Sequence, residues 1–410
     1  MPIVVNECNA VKRSFFSDFV FLTPIRRGGY SLAAMLKRED VYQRLARHLD
    51  DLPAGFPPSK SGVELRILKR LFAEDEAEMA LLLSVLPEGP ESVAVRAKLS
   101  VAETARKLEE MSRKGLIYRL ESEDGSRRYS ANQYVIGIWE FQVNKLRPDL
   151  IQDMEEYLPT LMTAGPWKET PQLRTIPIMQ AIPVRHEILA HEKAEDMVRG
   201  QDRFLIAPCI CRRERTMIGQ GCGKPEDACL IMGRAVEYYE KNGMGRIIDR
   251  DEALAILKKA DEAGLVLQPS NAKKAANICM CCSCCCGVLR TIKKHPRPAE
   301  YVSSPFRASL DEGTCEDCGV CPTRCPMGAL SRDAGGRVRL DSDRCIGCGL
   351  CVSTCSSRSL TLVRKPDAEQ RDVPATLRQT YIEMARRRGK LKPAKLAKAW
   401  IRTKIRAKSG

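Results

Sequence analysis

Apolar positions Val41, Leu45, Leu49 and Leu52 recur at the three-to-four-residue spacing of a buried helix face, which predicts a helix over residues 37–52. The Pro- and Gly-rich segment LPAGFPPSKSG ends it. Ser61 then stands three residues before Glu64, the spacing of a capping box. It heads a second helix that continues through AEDEAEMALLLSVL. From Val93 the pattern reads as a short helix, a turn at Leu99–Ser100, and a longer helix to Lys114 stopped by Gly115. LIYRLE and RRYSAN alternate with period two around EDGS, the mark of a β-hairpin. Between residues 150 and 200, Pro159, Pro166, Pro171, Pro177 and Pro183 break the helical pattern into pieces. DRFLIAP reads as a buried strand that runs into a loop at Pro208–Cys209. Asp249 or Asp251 caps a helix that ends at Gly264.

Two helices and a hairpin between Val93 and Tyr134 have the layout of a winged helix, and the stretch resembles the MarR-type winged-helix fold. The resemblance makes Val101–Lys114 the recognition helix. That helix sets Glu103, Glu109 and Glu110 beside Arg106, Lys107, Arg113 and Lys114. It is nearly neutral, where a phosphate-binding helix shows a positive stripe. Arg127 and Arg128 lie on the hairpin, where a DNA-contacting wing would carry them.

A chain of 410 residues exceeds one ordinary core, and 44% hydrophobic residues suffice for several. The expected fold class is α+β and multidomain. Residues 1–36 keep no period and read as a disordered or loosely docked extension. A mainly helical winged-helix domain is expected over 37–150, a cysteine-rich domain over 151–300, a second cysteine-rich domain over 301–364, and a basic helical tail over 365–410. No apolar run approaches the length of a membrane span, and the N-terminus lacks a secretory pattern, so a cytoplasmic protein is expected. Two apparent motifs dissolve on inspection. The histidines of HEILAHE are five apart, about 140° around a helix, and cannot share a zinc ion. GMGRII lacks the third glycine of a dinucleotide fingerprint.

Cysteine changes the picture. Of 19 cysteines, 18 lie between Cys209 and Cys355, mostly one to three residues apart. Near-adjacent cysteines are poor disulfide partners and good metal ligands. CEDCGVCPTRCP (Cys315 to Pro326) has the spacing C-x2-C-x2-C-x3-C-P, and CIGCGLCVSTCS (Cys345 to Ser356) repeats it without the proline. The pair resembles a bacterial-type double [4Fe–4S] ferredoxin over residues 305–364. The resemblance implies that the fourth cysteine of each run serves the other cluster. Cys315, Cys318, Cys321 and Cys355 would hold one, and Cys345, Cys348, Cys351 and Cys325 the other. Zinc knuckles use four cysteines, not eight in two such runs. MGALSRDAGGRVRLD reads as a short helix and a hairpin joining the repeats.

Upstream, PCICRRERTMIGQGCGKPEDACLIMG carries Cys209, Cys211, Cys222 and Cys229, a candidate third cluster. Four cysteines without a ferredoxin pattern leave zinc open as well, and the neighbouring module favours iron–sulfur. Arg212, Arg213 and Arg215 could offset the anionic charge of a cluster. Then comes NICMCCSCCCGVLR, in which six of the eight residues from Cys279 to Cys286 are cysteine. If it is extended, Cys279, Cys281 and Cys285 face one way and Cys282, Cys284 and Cys286 the other, one set toward each of two sites. The two elements together resemble an uncharacterised group of bacterial and archaeal iron–sulfur proteins, over most of residues 37–364. Cys285-Cys286-Gly287 also matches the CCG of the heterodisulfide-reductase cysteine-rich domain, without that domain's further CxxC downstream.

The net charge of +15 is concentrated in the tail, where residues 365–410 hold fourteen Lys/Arg against four acids. Two helices split at Gly389–Pro393 are expected there. They either pack on the protein itself or dock on an acidic redox partner, a nucleic acid or a peripheral membrane surface. With no flavin, nicotinamide or nucleophile–base motif in view, the expected function is electron transfer. Two [4Fe–4S] clusters, with thiols for one or two more, would serve a partner protein or a larger oxidoreductase. The alternative is a redox-sensing regulator acting through the winged helix, and a weaker third is a thiol/disulfide reductase.

Overall fold

A computed structural model describes residues 40–163, 166–178, 181 and 189–391. The expected 1–36 extension, the second half of the basic tail and His186 of HEILAHE lie outside them. Ala190–Glu192 of that motif form one 3-10 turn rather than part of a longer helix.

The N-terminal half is helical. Helix α1 (Val41–Asp50) starts where the Asp40 carboxylate accepts the Tyr42 N–H at 2.9 Å. Helix α2 (Val63–Leu71) is tied at its start by Ser59 and not by the expected Ser61. The Ser59 hydroxyl and N–H both donate to Glu64, and the Val63 N–H donates to Ser59 Oγ. Ser61 instead donates to Glu156. The predicted long second helix is divided, because buried Phe72 is extended. Helix α3 (Glu74–Ala80) restarts with three acids in its first turn, where the helix dipole favours negative charge. Helices α4 (Pro90–Ala97) and α5 (Val101–Lys114) follow as the period required. Ser100 caps α5, and Gly115 ends it at φ +82°, a conformation glycine adopts freely. Strands β1 (Tyr118–Glu121) and β2 (Arg127–Ser130) form the antiparallel hairpin. Helix α6 (Pro148–Thr163) runs straight through Pro159. Apolar burial on both sides, from Leu150 to Leu161, offsets the cost of a proline inside a helix, about 3 kcal/mol. Helix α7 (Pro166–Glu169) and helix α8 (Ala194–Arg199) are short.

The centre is a five-stranded antiparallel sheet. Its strands are β3 (Phe204–Pro208), β4 (Asp227–Met232), β5 (Arg246–Ile248), β6 (Val266–Pro269) and β7 (Asn277–Cys281), in the order β5-β3-β4-β7-β6. Leu205, Ala207 and Ile231 join the core of the N-terminal helices. Their neighbours Phe204, Ile206, Leu230 and Met232 join a second core behind the sheet. Burial on both faces explains the unbroken apolar run of FLIAP. Helices α9 (Ile210–Met217), α10 (Ala235–Lys241), α11 (Arg250–Glu262, capped by Asp249) and α12 (Gly287–Lys293) connect or follow these strands.

The second core continues into the C-terminal module. There β8 (Phe306–Leu310) pairs with β11 (Leu360–Arg364), and between them lie helix α13 (Val320–Arg324) and the hairpin β9 (Leu330–Arg332)/β10 (Val338–Leu340). A turn at Pro326–Met327, rather than the expected short helix, leads into that hairpin. Phe306, Ile346, Cys348 and Leu362 share this core with Cys281, Cys282, Cys285 and Cys286. The two cores thus span the expected domain bounds at 150 and 300. Helix α14 (Leu377–Arg387), the first of the two expected in the tail, packs on the protein itself. Met384 is buried, the Thr380 hydroxyl donates to the Asn271 carbonyl, and Arg388 and Lys390 pair with Asp50.

Candidate metal centres

The two cysteine runs of the C-terminal module lie side by side. Cys321 has Cys315, Cys318 and Cys355 as neighbours. Cys348 has Cys351, Cys345 and Cys325, and Cys351 has Cys345, Cys325 and also Cys321 of the first run. Cys325, Cys345, Cys348 and Cys351 line a small cavity of about 20 Å³ with Ala308, Met327 and Leu362. Glycines bring the backbone close: Gly347 (φ +70°) passes against the Phe306 carbonyl, and Gly349 (φ +77°) against Ala181 and Leu362. Backbone N–H groups point at sulfur, Ala308 donating to Cys345 at 3.3 Å and Ala329 to Cys325 at 3.2 Å. Burial, then the neighbouring Cys315, Cys318 and Cys355, pushes the Cys321 thiol up to about 11. Burial works the same way on Cys355. The hydroxyls of Ser359 and Ser357, 3.3 and 3.5 Å from its sulfur, outweigh it and hold the thiol below its ordinary value.

The upstream cysteines form a different arrangement. Ala207, Cys229 and Cys279 are direct cross-strand partners on β3, β4 and β7, and Cys281 follows two residues along β7. Directly paired residues project to one side of a sheet. Cys209 occupies the N-cap of α9, Cys211 its first turn, and Cys286 the N-cap of α12. These six cysteines line one cavity of about 80 Å³, whose other walls include Trp139, Leu158, Met162 and Tyr239. Gly287 leaves room for Leu158, which a side chain there would meet at 3.0 Å. The Cys209, Cys211, Cys279, Cys281 and Cys286 thiols are pushed well above their ordinary value: Cys209 by its bond to Cys211 and by burial, Cys279 by Cys229, Cys281 by Cys279. Two carboxyls face the same space. Burial raises Glu140 to about 7, against a hydrogen bond from the Gly137 N–H. Burial, then the nearby Glu155, raises Glu214 to about 8.

Cys222, Cys282, Cys284 and Cys285 make a second upstream group, their sulfurs all within 4.8 Å of one another. Arg212 is buried between the two groups. Its guanidinium donates to the Met280 and Pro225 carbonyls at 2.6 and 2.7 Å and lies against Cys209, Cys281 and Cys282. Burial opposes ionisation of Cys282, but the Arg212 charge and hydrogen bonds from Cys284 and the Cys285 N–H hold its thiol down at about 7.

The expected quartet is therefore divided. Cys209 and Cys211 stay together, Cys229 joins them through the sheet, and Cys222 goes with the turn at 282–285. The opening stretch also divides differently from an extended strand, because β7 ends at Cys281 and a turn follows. Cys285 thereby joins Cys282 and Cys284, and Cys286 joins Cys279 and Cys281. Of the three arginines expected beside sulfur, only Arg212 is there; Arg213 pairs with Glu226 and Arg215 with Glu155. Glu214, two residues past Arg212 in the PCICR segment, was within reach of sequence reasoning. Nothing in the sequence singles out Glu140.

Residues 307–356 match the family of the 4Fe-4S dicluster domain. A search of the curated proteins and of the solved structures returns no match. The chain thus carries an iron–sulfur module that supports an electron-transfer role. Among the described residues no helix is long and apolar enough to cross a membrane.

Proposed function

We propose that this chain is an iron–sulfur electron-transfer protein with three [4Fe–4S] clusters, serving a partner oxidoreductase. Two would be held by Cys315, Cys318, Cys321 and Cys355, and by Cys345, Cys348, Cys351 and Cys325. The third would take four of the six thiols around the larger cavity. The carrying observation is the shared core: Cys348 of the dicluster module and Cys281 and Cys286 of the upstream cavity are buried in one contiguous apolar body. Clusters bound at these thiols would supply single-electron exchange over a potential range set by hydrogen bonds to sulfur and by exposure. The donor sets fit, since each offers four thiols with backbone N–H or hydroxyl donors or a buried cation beside them. The residues themselves keep water out, fix the thiols on rigid strands and helix starts, and place the Arg212 charge against sulfur. Metal binding would displace the protons that crowding and burial keep on Cys209, Cys279 and Cys281.

The test is iron and sulfide analysis with electron paramagnetic resonance on anaerobically prepared protein, reduced stepwise by a viologen radical. About twelve irons and twelve sulfides per chain are expected, with spin-coupled reduced centres. Fewer than about eight of each would refute the dicluster assignment.

The helix–turn–helix and hairpin at 90–130 favour a second reading, a redox-sensing regulator. Against it, the cations of α5 are already engaged: Arg106 with Glu110, Lys107 with Asp75, Arg113 with Glu109 and Lys114 with Glu76. Phosphates would have to break these pairs. A sequence-selective, salt-dependent gel shift would favour the regulator; no shift at low salt in either redox state would remove it.

A further inference from the structure

We infer that Cys222, Cys282, Cys284 and Cys285 hold one tetrahedral metal ion, zinc by the chemistry of its ligands, separate from any iron–sulfur cluster. The four sulfurs lie within 4.8 Å of one another, and those of Cys222 and Cys282 are 3.8 Å apart. Zinc–sulfur bonds of about 2.3 Å in a tetrahedron put neighbouring sulfurs about 3.8 Å apart. A cubane sets four irons among its thiolates and needs them wider. A disulfide needs about 2.05 Å. Four thiols and no open position are the closed shell of a structural zinc site.

The chain delivers the ligands in a compact way. Three come from the turn that follows β7, and the fourth from a loop where Gly221 and Gly223 flank Cys222, Gly223 at φ +68°. Arg212 ties these same two segments together through the Pro225 and Met280 carbonyls. Its positive charge offsets the double negative charge that zinc with four thiolates would carry. Cys284 is exposed, which opens a path for the ion. The bound ion would lock the turn between Cys281 and Cys286, and so fix the spacing of the larger cavity's thiols.

The test is metal analysis of the full chain, prepared anaerobically in zinc-containing medium. About one zinc per chain is expected, with an X-ray absorption shell of four sulfurs at about 2.3 Å. Cys222→Ser/Cys284→Ser should lose at least about nine-tenths of the zinc while iron and sulfide stay level. Exposed Cys284→Ser alone, the change least able to disturb folding, should weaken zinc retention against a chelator. The assignment fails if wild-type protein holds no zinc, if the double variant keeps it, or if the zinc shell contains fewer than four sulfurs. It also fails if iron and sulfide leave together with these thiols, which would make the site a cluster.

Discussion

Cys229 and Cys279 sit directly opposite each other on neighbouring strands β4 and β7, so both sulfurs leave the same side of the sheet, into one cavity. Two cysteines fifty residues apart in the chain thereby become neighbours by register alone. Cys229→Ser and Cys279→Ser should therefore abolish the same paramagnetic centre and each remove about four irons, leaving the dicluster signals in place. Loss of two different centres would show that the cavity is not one site.

The dicluster cysteines make a crossed prediction. Cys355 stands with Cys315, Cys318 and Cys321, and Cys325 with the later run. Cys355→Ser should alter the same centre as Cys315→Ser, and Cys325→Ser the same centre as Cys345→Ser. A redox titration followed by electron paramagnetic resonance reads this. If Cys355→Ser instead tracked Cys345→Ser, the ligand sets would follow sequence order and the crossed assignment would be wrong.

Glu140 predicts a pH effect. Its carboxyl is raised to about 7, while an unfolded glutamate loses its proton near 4.5. Between those values the native state keeps a proton that the unfolded chain has released. Stability from this group therefore falls as pH rises from about 4.5 to 7 and is level above that. Glu140→Gln should flatten that slope, a change on the order of 1–3 kcal/mol at pH 7 in favour of the variant. Thermal or denaturant unfolding at several pH values measures it, and an unchanged slope would exclude Glu140 as its source.

Arg324 joins the dicluster module to the sheet domain. Its guanidinium donates to the Asp261 and Glu262 carbonyls and pairs with the buried Asp261 carboxylate at 3.3 Å. Arg324→Ala should cost about 1–3 kcal/mol, because Asp261 stays buried without its cation. Adding Asp261→Asn should recover part of the loss. A double-mutant cycle by anaerobic thermal melting gives the coupling, and strict additivity would mean that the pair contributes nothing.

Local rules were legible where one residue type answers one local need. Ser100 and Gly115 bound α5 where the pattern predicted, and Asp249 caps α11, because caps and stops depend on a few neighbouring groups. The same reasoning missed at Ser59 and Phe72. There the choice depended on Glu64 folding back and on Phe72 finding a core, and both are set by distant packing. The dicluster module was legible because three of the four ligands expected for each cluster come from one short loop, so their spacing is written along the chain.

The upstream thiols show the other limit. The sequence by itself set apart ten cysteines between Cys209 and Cys286 from the eight of the dicluster runs. It could not say which belonged together. That was decided by the register of β4 against β7, by the end of β7 at Cys281, and by the turn that sends Cys285 and Cys286 to opposite groups. Pairing between strands far apart in sequence follows from burying both faces of the sheet at once, a condition that only the assembled tertiary structure satisfies.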